Sequence, residues 1–204
     1  MEVQERIMLK ADELFRRYGI RSVTMDEIAN QLGMSKKTIY QYYTDKDQLV
    51  DAVAEKEISF SQESCLKDMA ASSNAIDEIF RVMAFVEVMF RNMNPAMLYD
   101  LEKYHPAGYR KFLQHKNIFL SDMIKRNLER GIREELYRPE INIEVLTRLR
   151  LENMMLGFNT EVFSPSKFNL AELQQELIEH FLYGVATLKG YKLIIKYKQQ
   201  RINN

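Results

Sequence analysis

Apolar positions recur every three or four residues along nearly the whole chain, the period of helices that bury one face. The first stripe is Ile7, Ala11, Leu14, Phe15 and Tyr18, and Gly19 stops that helix. Thr24-Met25-Asp26-Glu27 has the form of a capping box and opens a short helix with Ile28, Ala29 and Leu32 inward, ending near Gly33. Ser35 caps another short helix, KKTIYQYY, and Thr44 with Asp47 three residues on caps a longer one from Lys46. Beyond it the pattern predicts helices over 46–72, 75–93, 95–104, 107–137, 142–159 and 169–189. Their boundaries fall at Asn74, Asn94-Pro95, His105-Pro106, Arg138-Pro139 and Ser164-Pro165, because proline disfavours both its own place in a helix interior and helical geometry just before it. The fold class is all-α, with a compact unit at 1–49 and a larger helical one at 50–204, joined by the helix from Lys46.

Composition narrows the picture. Seven Gly and four Pro in 204 residues leave little punctuation for an all-β fold. Balanced charge, 29 Lys plus Arg against 29 Asp plus Glu, excludes a polybasic coat. The single cysteine, Cys65, has no partner for an intramolecular disulfide, which suits a reducing compartment, and the start of the chain has no apolar core of signal-peptide kind. The most apolar stretch, Ile79 to Phe90, is too short to span a bilayer and is broken by Arg81 and Glu87. A cytoplasmic protein is therefore expected. His105, His115 and His180 lack the spacing of a helical metal pair, no Gly-rich phosphate loop or nucleophile elbow occurs, and neither metal, cofactor nor enzyme activity is expected.

The segment 24–43 carries the candidate chemistry. Two short helices joined at Gly33-Met34-Ser35 have the outline of a helix-turn-helix, whose second helix lies in the DNA major groove. Ile39 and Tyr43, four apart, point into the small core. Lys37 and Gln41 then face outward, flanked by Lys36, Thr38, Tyr40 and Tyr42, with no acid between Glu27 and Asp45. Ammonium, amide and hydroxyl donors of this kind bind phosphates, and Lys and Gln also read purine edges. By spacing alone, a capped helical hairpin with solvated lysines fits equally well.

From Gly19 to Leu49 the chain reads GIRSVTMDEIANQLGMSKKTIYQYYTDKDQL, which resembles the DNA-binding signature of the tetracycline-repressor (TetR) family at Gly19, Thr24, Ile28, Ala29, Gly33, Ser35, Thr38, Ile39, Tyr40, Tyr43, Lys46 and Leu49. Met25 stands where family members often have a second Thr, Lys37 where many have Gly, and Tyr43 where Phe is usual. The resemblance implies that Lys36, Lys37, Thr38, Tyr40 and Tyr42 touch a double-stranded DNA operator, and that Thr24 and Lys46 grip phosphates. It further implies a homodimeric repressor released from a palindromic operator by a small molecule.

The remaining residues resemble the family's ligand-binding and dimerisation domain in layout. Apolar residues cover more than one face of 142–159 and 169–189, and a helix serving one core needs a narrower stripe, so both segments are expected to pair with a second subunit, with Gly157 and Gly184 permitting close approach. Met83, Met89, Phe90, Tyr104, Phe112, Phe119 and Met123 are candidates for lining a pocket for a largely apolar ligand; plain core packing accounts for each of them as well. The basic run from Lys103 to Lys116 reads as a solvated face ahead of a receiver for an anionic ligand group, and the tail 189–204 either packs on the bundle or frays. Two other readings stay open: a helical protein-interaction module, and a DNA binder without an inducer.

Overall fold

A computed structural model describes residues 2–202; Met1 and residues 203–204, which the sequence-based division places at the ends of its two domains, lie outside the described residues. The helices are α1 (Val3–Tyr18), α2 (Met25–Leu32), α3 (Lys36–Tyr42), α4 (Lys46–Ala71), α5 (Ala75–Phe90), α6 (Ala96–Tyr104), α7 (Pro106–Gln114), a π-helical segment (His115–Leu120), α8 (Ser121–Arg133), α9 (Ile143–Leu156), α10 (Leu170–Val185) and α11 (Leu188–Ile202). The only extended pairing among the described residues is an isolated bridge between Tyr137 and Ala186. The class is all-α. None of these helices is long and apolar enough to cross a membrane.

Two compact units emerge: the chain up to Ser61 together with Asn92–His115, and Gln62–Arg91 together with the chain from Lys116 onward. In the first, Ile7, Ala11, Phe15, Ile20, Val23, Ile28, Ile39, Leu49 and Val53 form the core, with Leu101 of α6 buried among them and Met97, Leu98, Tyr109 and Phe112 packed against it. Tyr18, counted in the first apolar stripe by its spacing, is instead exposed, with the Arg17 guanidinium 5.2 Å from its ring centre. It is the last residue of α1, and the turn at Gly19 carries the chain away before anything can cover it.

Local chemistry fixes the helix ends. The Thr24 hydroxyl accepts the Glu27 N–H at 3.1 Å, and the Ser35 hydroxyl accepts that of Thr38 at 3.1 Å. Gly33 takes up left-handed φ of 63°, and Met34 N–H donates back to the Ala29 carbonyl at 2.9 Å, closing α2. At α4 the cap is Asp45 rather than Thr44: its Oδ1 accepts the Gln48 N–H at 2.8 Å, while Gln48 Oε1 accepts the Thr44 N–H at 2.7 Å. The capping box is shifted by one residue, because carboxylate and amide at that spacing satisfy the same end more completely than the threonine hydroxyl.

Beyond α6 the chain differs from the sequence reading in three places. The expected helix over 107–137 is α7, the π segment and α8, ending at Arg133. Glu135 then adopts φ of 59°, and Leu136 and Tyr137 N–H both return to the Gly131 carbonyl, at 2.8 and 3.0 Å. The helix expected over 169–189 stops at Val185, where Ala186 turns extended, and a further helix, α11, begins at Leu188. As far as residue 201 the tail packs rather than frays: Ile194 is fully buried, with Leu193 and Tyr197 against the same core as Ala75, Ile76, Leu128, Tyr137, Leu182 and Val185. Thr187 ties that junction down by donating its hydroxyl to the Glu135 carbonyl at 2.8 Å.

Candidate nucleic-acid interface

The helix-turn-helix of the first unit presents α3 from a rigid base. Ile39 is fully buried and Tyr43 nearly so, the Tyr43 hydroxyl donating to the Gln4 carbonyl at 3.4 Å. Burial raises the Tyr43 pKa, so the phenol stays neutral. With those two side chains inward, Lys37, Tyr40, Gln41 and Tyr42 are exposed on the opposite faces. Thr38 is half-buried; its hydroxyl lies 2.8 Å from that of Ser35, so the cap shares it.

Four of the residues expected to touch DNA meet in one cleft. Thr24, Lys36, Tyr40 and Lys46 line a depression of about 250 Å³ together with Arg21, Val23, Met25 and Asp26. It opens at the start of α2, where the helix dipole favours an anion. Lys37 and Tyr42 stand outside the cleft, on the open surface of α3.

Two partners were hidden from the sequence. Asp26 reaches across to Lys36, Oδ1 to Nζ 2.8 Å, and this hydrogen bond holds the Lys36 ammonium above its ordinary pKa. The stretch free of acids between Glu27 and Asp45 therefore does not leave Lys36 free, since the preceding residue folds back onto it. Lys46 donates to the Ile20 carbonyl at 2.6 Å and to that of Arg21 at 3.5 Å, and its Nζ lies 6.0 Å from the Phe15 ring centre. Burial lowers its pKa, against the opposing pull of Asp100 and Asp47. Lys46 thus clasps the loop between α1 and α2 as well as facing the cleft.

Arg21 was missed. Its only sequence signal is a positive charge three residues before a capping threonine, yet it lines the cleft. Its backbone N–H donates to Asp100 Oδ2 at 2.8 Å, and its guanidinium lies 5.3 Å from the Tyr104 ring centre. Asn94 N–H donates to the Arg16 carbonyl at 2.7 Å, so α6 and the residues just before it are tied to the last turn of α1 and to the loop that follows it.

The candidate pocket residues divide. Tyr104 sits beside Arg21, and Phe112 packs on the core of the helix-turn-helix, both in the first unit. Met83, Met89, Phe90, Phe119 and Met123 belong to the second. There Met83 is 3% exposed, Phe90 meets Phe158 edge-on at 5.4 Å, and Met89, Phe119 and Met123 are half-buried. The basic run is not a solvated face throughout. Lys111 pairs with Asp51 at 2.7 Å and Glu55 at 3.2 Å, and Lys116 is buried on Glu152 at 3.0 Å. Gly157 is filled from within its own chain, an added Cβ meeting Gln174 Nε2 at 2.2 Å, whereas Gly184 faces open space.

Comparison with known proteins agrees with this geometry. The family described as "Bacterial regulatory proteins, tetR family" matches residues 7–53. The HTH-type transcriptional regulator YvaF of Bacillus subtilis is 32% identical over 105 residues, a match spanning 50% of this chain and only 54% of YvaF. An HTH-type regulator of Staphylococcus aureus is 23% identical over 166 residues, 80% of this chain and 82% of the relative. Among solved structures, a transcriptional regulator from Cytophaga hutchinsonii superposes with a TM-score of 0.66 at 25% identity, covering 90% of this chain and 98% of that one. A TetR-family regulator from Streptomyces coelicolor does so with a TM-score of 0.68 at 18% identity, covering 90% and 95%. A capped helix-turn-helix on a buried Ile39–Tyr43 anchor and the family match over the same residues lead to one assignment: residues 7–53 form a DNA-binding segment of the TetR family of bacterial regulatory proteins, within a chain that shares the all-helical fold of solved transcriptional regulators.

Proposed function

We propose that the chain is a homodimeric repressor that binds a palindromic operator through residues 1–49 and is released when a small, largely apolar molecule binds within residues 50–204. The observation that carries the DNA-binding half is the orientation of α3: Ile39 and Tyr43 lock it to the core while Lys37, Tyr40 and Tyr42 face out. Arg21, Thr24, Lys36 and Lys46 lie on the phosphate side, in the cleft at the start of α2. Phosphate contacts position such a protein and base contacts give it sequence preference, so Lys37 is assigned to base reading and Lys46 to phosphates.

Dimerisation is supported by α9, where Val145, Leu149 and Leu156 stay exposed along one helical stripe. An apolar row of this sort marks an interaction surface, and helix-turn-helix dimers read half-sites related by a two-fold axis. Ligand release draws support from two proteins of the same fold. A Thermus thermophilus TetR-family repressor, FadR, is known in complex with lauroyl-CoA (TM-score 0.55, 22% identity), and a Saccharomonospora viridis regulator in complex with choline (TM-score 0.73, 13% identity).

Binding of genomic fragments, followed by selection of the preferred operator, tests the reading. Lys37→Gly changes which operator is preferred, whereas Lys46→Ala weakens every sequence alike, by roughly tenfold if one charged hydrogen bond is lost. Equal losses on operator and random DNA for Lys37→Gly would remove Lys37 from base reading. Sedimentation as a monomer at micromolar concentration would remove the dimer.

A further inference from the structure

Within the first unit, the loop between α1 and α2 is held from two sides. The Arg21 N–H donates to Oδ2 of Asp100 on α6 at 2.8 Å, and Asp100 is only 7% exposed. Lys46 Nζ donates to the Ile20 carbonyl at 2.6 Å. One short loop is thus gripped through an N–H by a carboxylate and through a C=O by an ammonium. Gly19, at φ of 82°, leaves the space that this needs, since a Cβ there would stand 3.1 Å from the same Asp100 oxygen. One helical turn beyond Asp100, the Tyr104 ring centre lies 5.3 Å from the Arg21 guanidinium. Helix α6 therefore holds Arg21 twice, by its backbone and by its side chain, and all of these residues belong to the one unit.

A carboxylate taken out of water is costly unless hydrogen bonds and opposite charge meet it. Asp100 has both, in the Arg21 N–H and in Lys46, whose ammonium burial disfavours and Asp100 favours. Its place differs from that of Asp26. Asp26 lines the cleft and pairs there with Lys36, on the side a phosphate would take. Asp100 stands outside the ring of residues lining the cleft, so it holds the loop without competing for the site. Tyr104 acts on the side chain. A guanidinium stacked on a ring keeps the N–H donors of its edge free for phosphate oxygens. Arg21 is exposed, and an exposed arginine gives up rotamer freedom on meeting an anion; one already stacked gives up less.

We infer that Asp100 and Tyr104 are positioning residues for DNA binding: Asp100 fixes the backbone of the α1–α2 loop and Tyr104 the guanidinium, so that Arg21 meets a DNA phosphate at the cleft. This rests on the assignment of Arg21, Thr24, Lys36 and Lys46 to phosphates above. The DNA-binding machinery thereby extends beyond residues 1–49 onto α6, and Tyr104, a pocket candidate by its sequence, serves DNA instead. A phosphate carries no sequence information, so losing this support weakens operator and random DNA alike.

The test uses the full-length protein and fluorescence anisotropy over a salt series, with the selected operator duplex and a random one. Circular dichroism first sets a temperature at which every variant is folded. Arg21→Ala weakens both duplexes roughly tenfold and lowers the slope of log affinity against log salt by about one per subunit. Asp100→Ala, which removes the acceptor, reproduces at least about a threefold loss and the fall in slope. Asp100→Asn keeps an acceptor for the Arg21 N–H and binds within about twofold of the parent. Tyr104→Leu, at a more exposed position, costs about threefold. In an Arg21→Ala background neither Asp100→Ala nor Tyr104→Leu weakens binding further, because nothing is left to position. Parental affinity and slope in folded Asp100→Ala or Tyr104→Leu protein would overturn the positioning role. So would an Asp100→Asn protein as weak as Asp100→Ala, or losses that add to that of Arg21→Ala. If Lys46→Ala weakens binding and Arg21→Ala does not, the cleft keeps its phosphates and the positioning role falls. If neither weakens it, the phosphate reading of the cleft falls and takes the positioning role with it.

Discussion

Gly131→Ala isolates the contact that closes the second unit. A Cβ on Gly131 would lie 1.9 Å from Cδ2 of Tyr137, 2.3 Å from Cε2 and 2.5 Å from Cγ. Carbon atoms in contact settle near 3.5–4.0 Å, so the ring would have to retreat by about 1.5 Å or more. It has nowhere to go: Tyr137 is 1% exposed, and its hydroxyl donates to the Ala75 carbonyl at 3.2 Å and meets Asn127 Oδ1 at 3.1 Å. Overpacking a core costs about 1–3 kcal/mol. Pulling the phenol off its partners strands buried polar groups at about 1–3 kcal/mol. Against this, alanine recovers at most about 1 kcal/mol of helix propensity.

The net loss is about 2–4 kcal/mol, which in a chain of this size lowers the melting temperature by roughly 5–15 °C. Circular dichroism melts at 222 nm measure it. The decisive control is the same substitution in a Tyr137→Leu background, where the ring is gone. There Gly131→Ala becomes neutral or mildly stabilising, and the cycle assigns the coupling to this pair. An unchanged melting temperature, or the same loss with and without the tyrosine ring, would refute the argument.

Two further outcomes follow from ion pairs. Asp26→Asn releases Lys36 from its 2.8 Å partner and removes an acid from the cleft. DNA affinity rises, and the plot of log affinity against log salt steepens by about one per subunit; an unchanged slope would mean that Lys36 does not reach phosphate. Glu78 is 4% exposed, and burial raises its pKa above 4.5 despite Asn127 and Arg130. A carboxyl whose folded pKa lies above its unfolded one stabilises fully below the unfolded value, and that contribution is lost as pH rises through the folded one. Glu78→Gln does not titrate, so its melting temperature relative to the parent climbs between pH 4.5 and pH 7, and a constant or falling difference counts against it.

The positions that the sequence marked correctly share a physical cause. Thr24, Gly33, Ser35 and Asn74 act on backbone groups within a few residues, so capping and helix-stop chemistry is complete in the local sequence. Ile39 and Tyr43 were legible for the same reason: a four-residue spacing fixes which face they share whatever packs on it. The helix over 107–137 was not, because no proline or glycine signals the π segment at His115–Leu120. Nor did any local signal mark Glu135 as the residue that turns with positive φ.

The sequence by itself determined the all-helical class, the helix-turn-helix at 24–43 and which of its side chains face inward. Those depend on period, caps and breakers, which act over one or two turns. Only the tertiary structure decided that Lys36 is held by Asp26, that Lys46 clasps the Ile20 carbonyl, that Arg21 joins the cleft and that Tyr104 and Phe112 sit with the first unit. An ion pair or a buried charge is settled by which distant segments meet. That depends on how separate helices pack, and no periodicity within one of them records it.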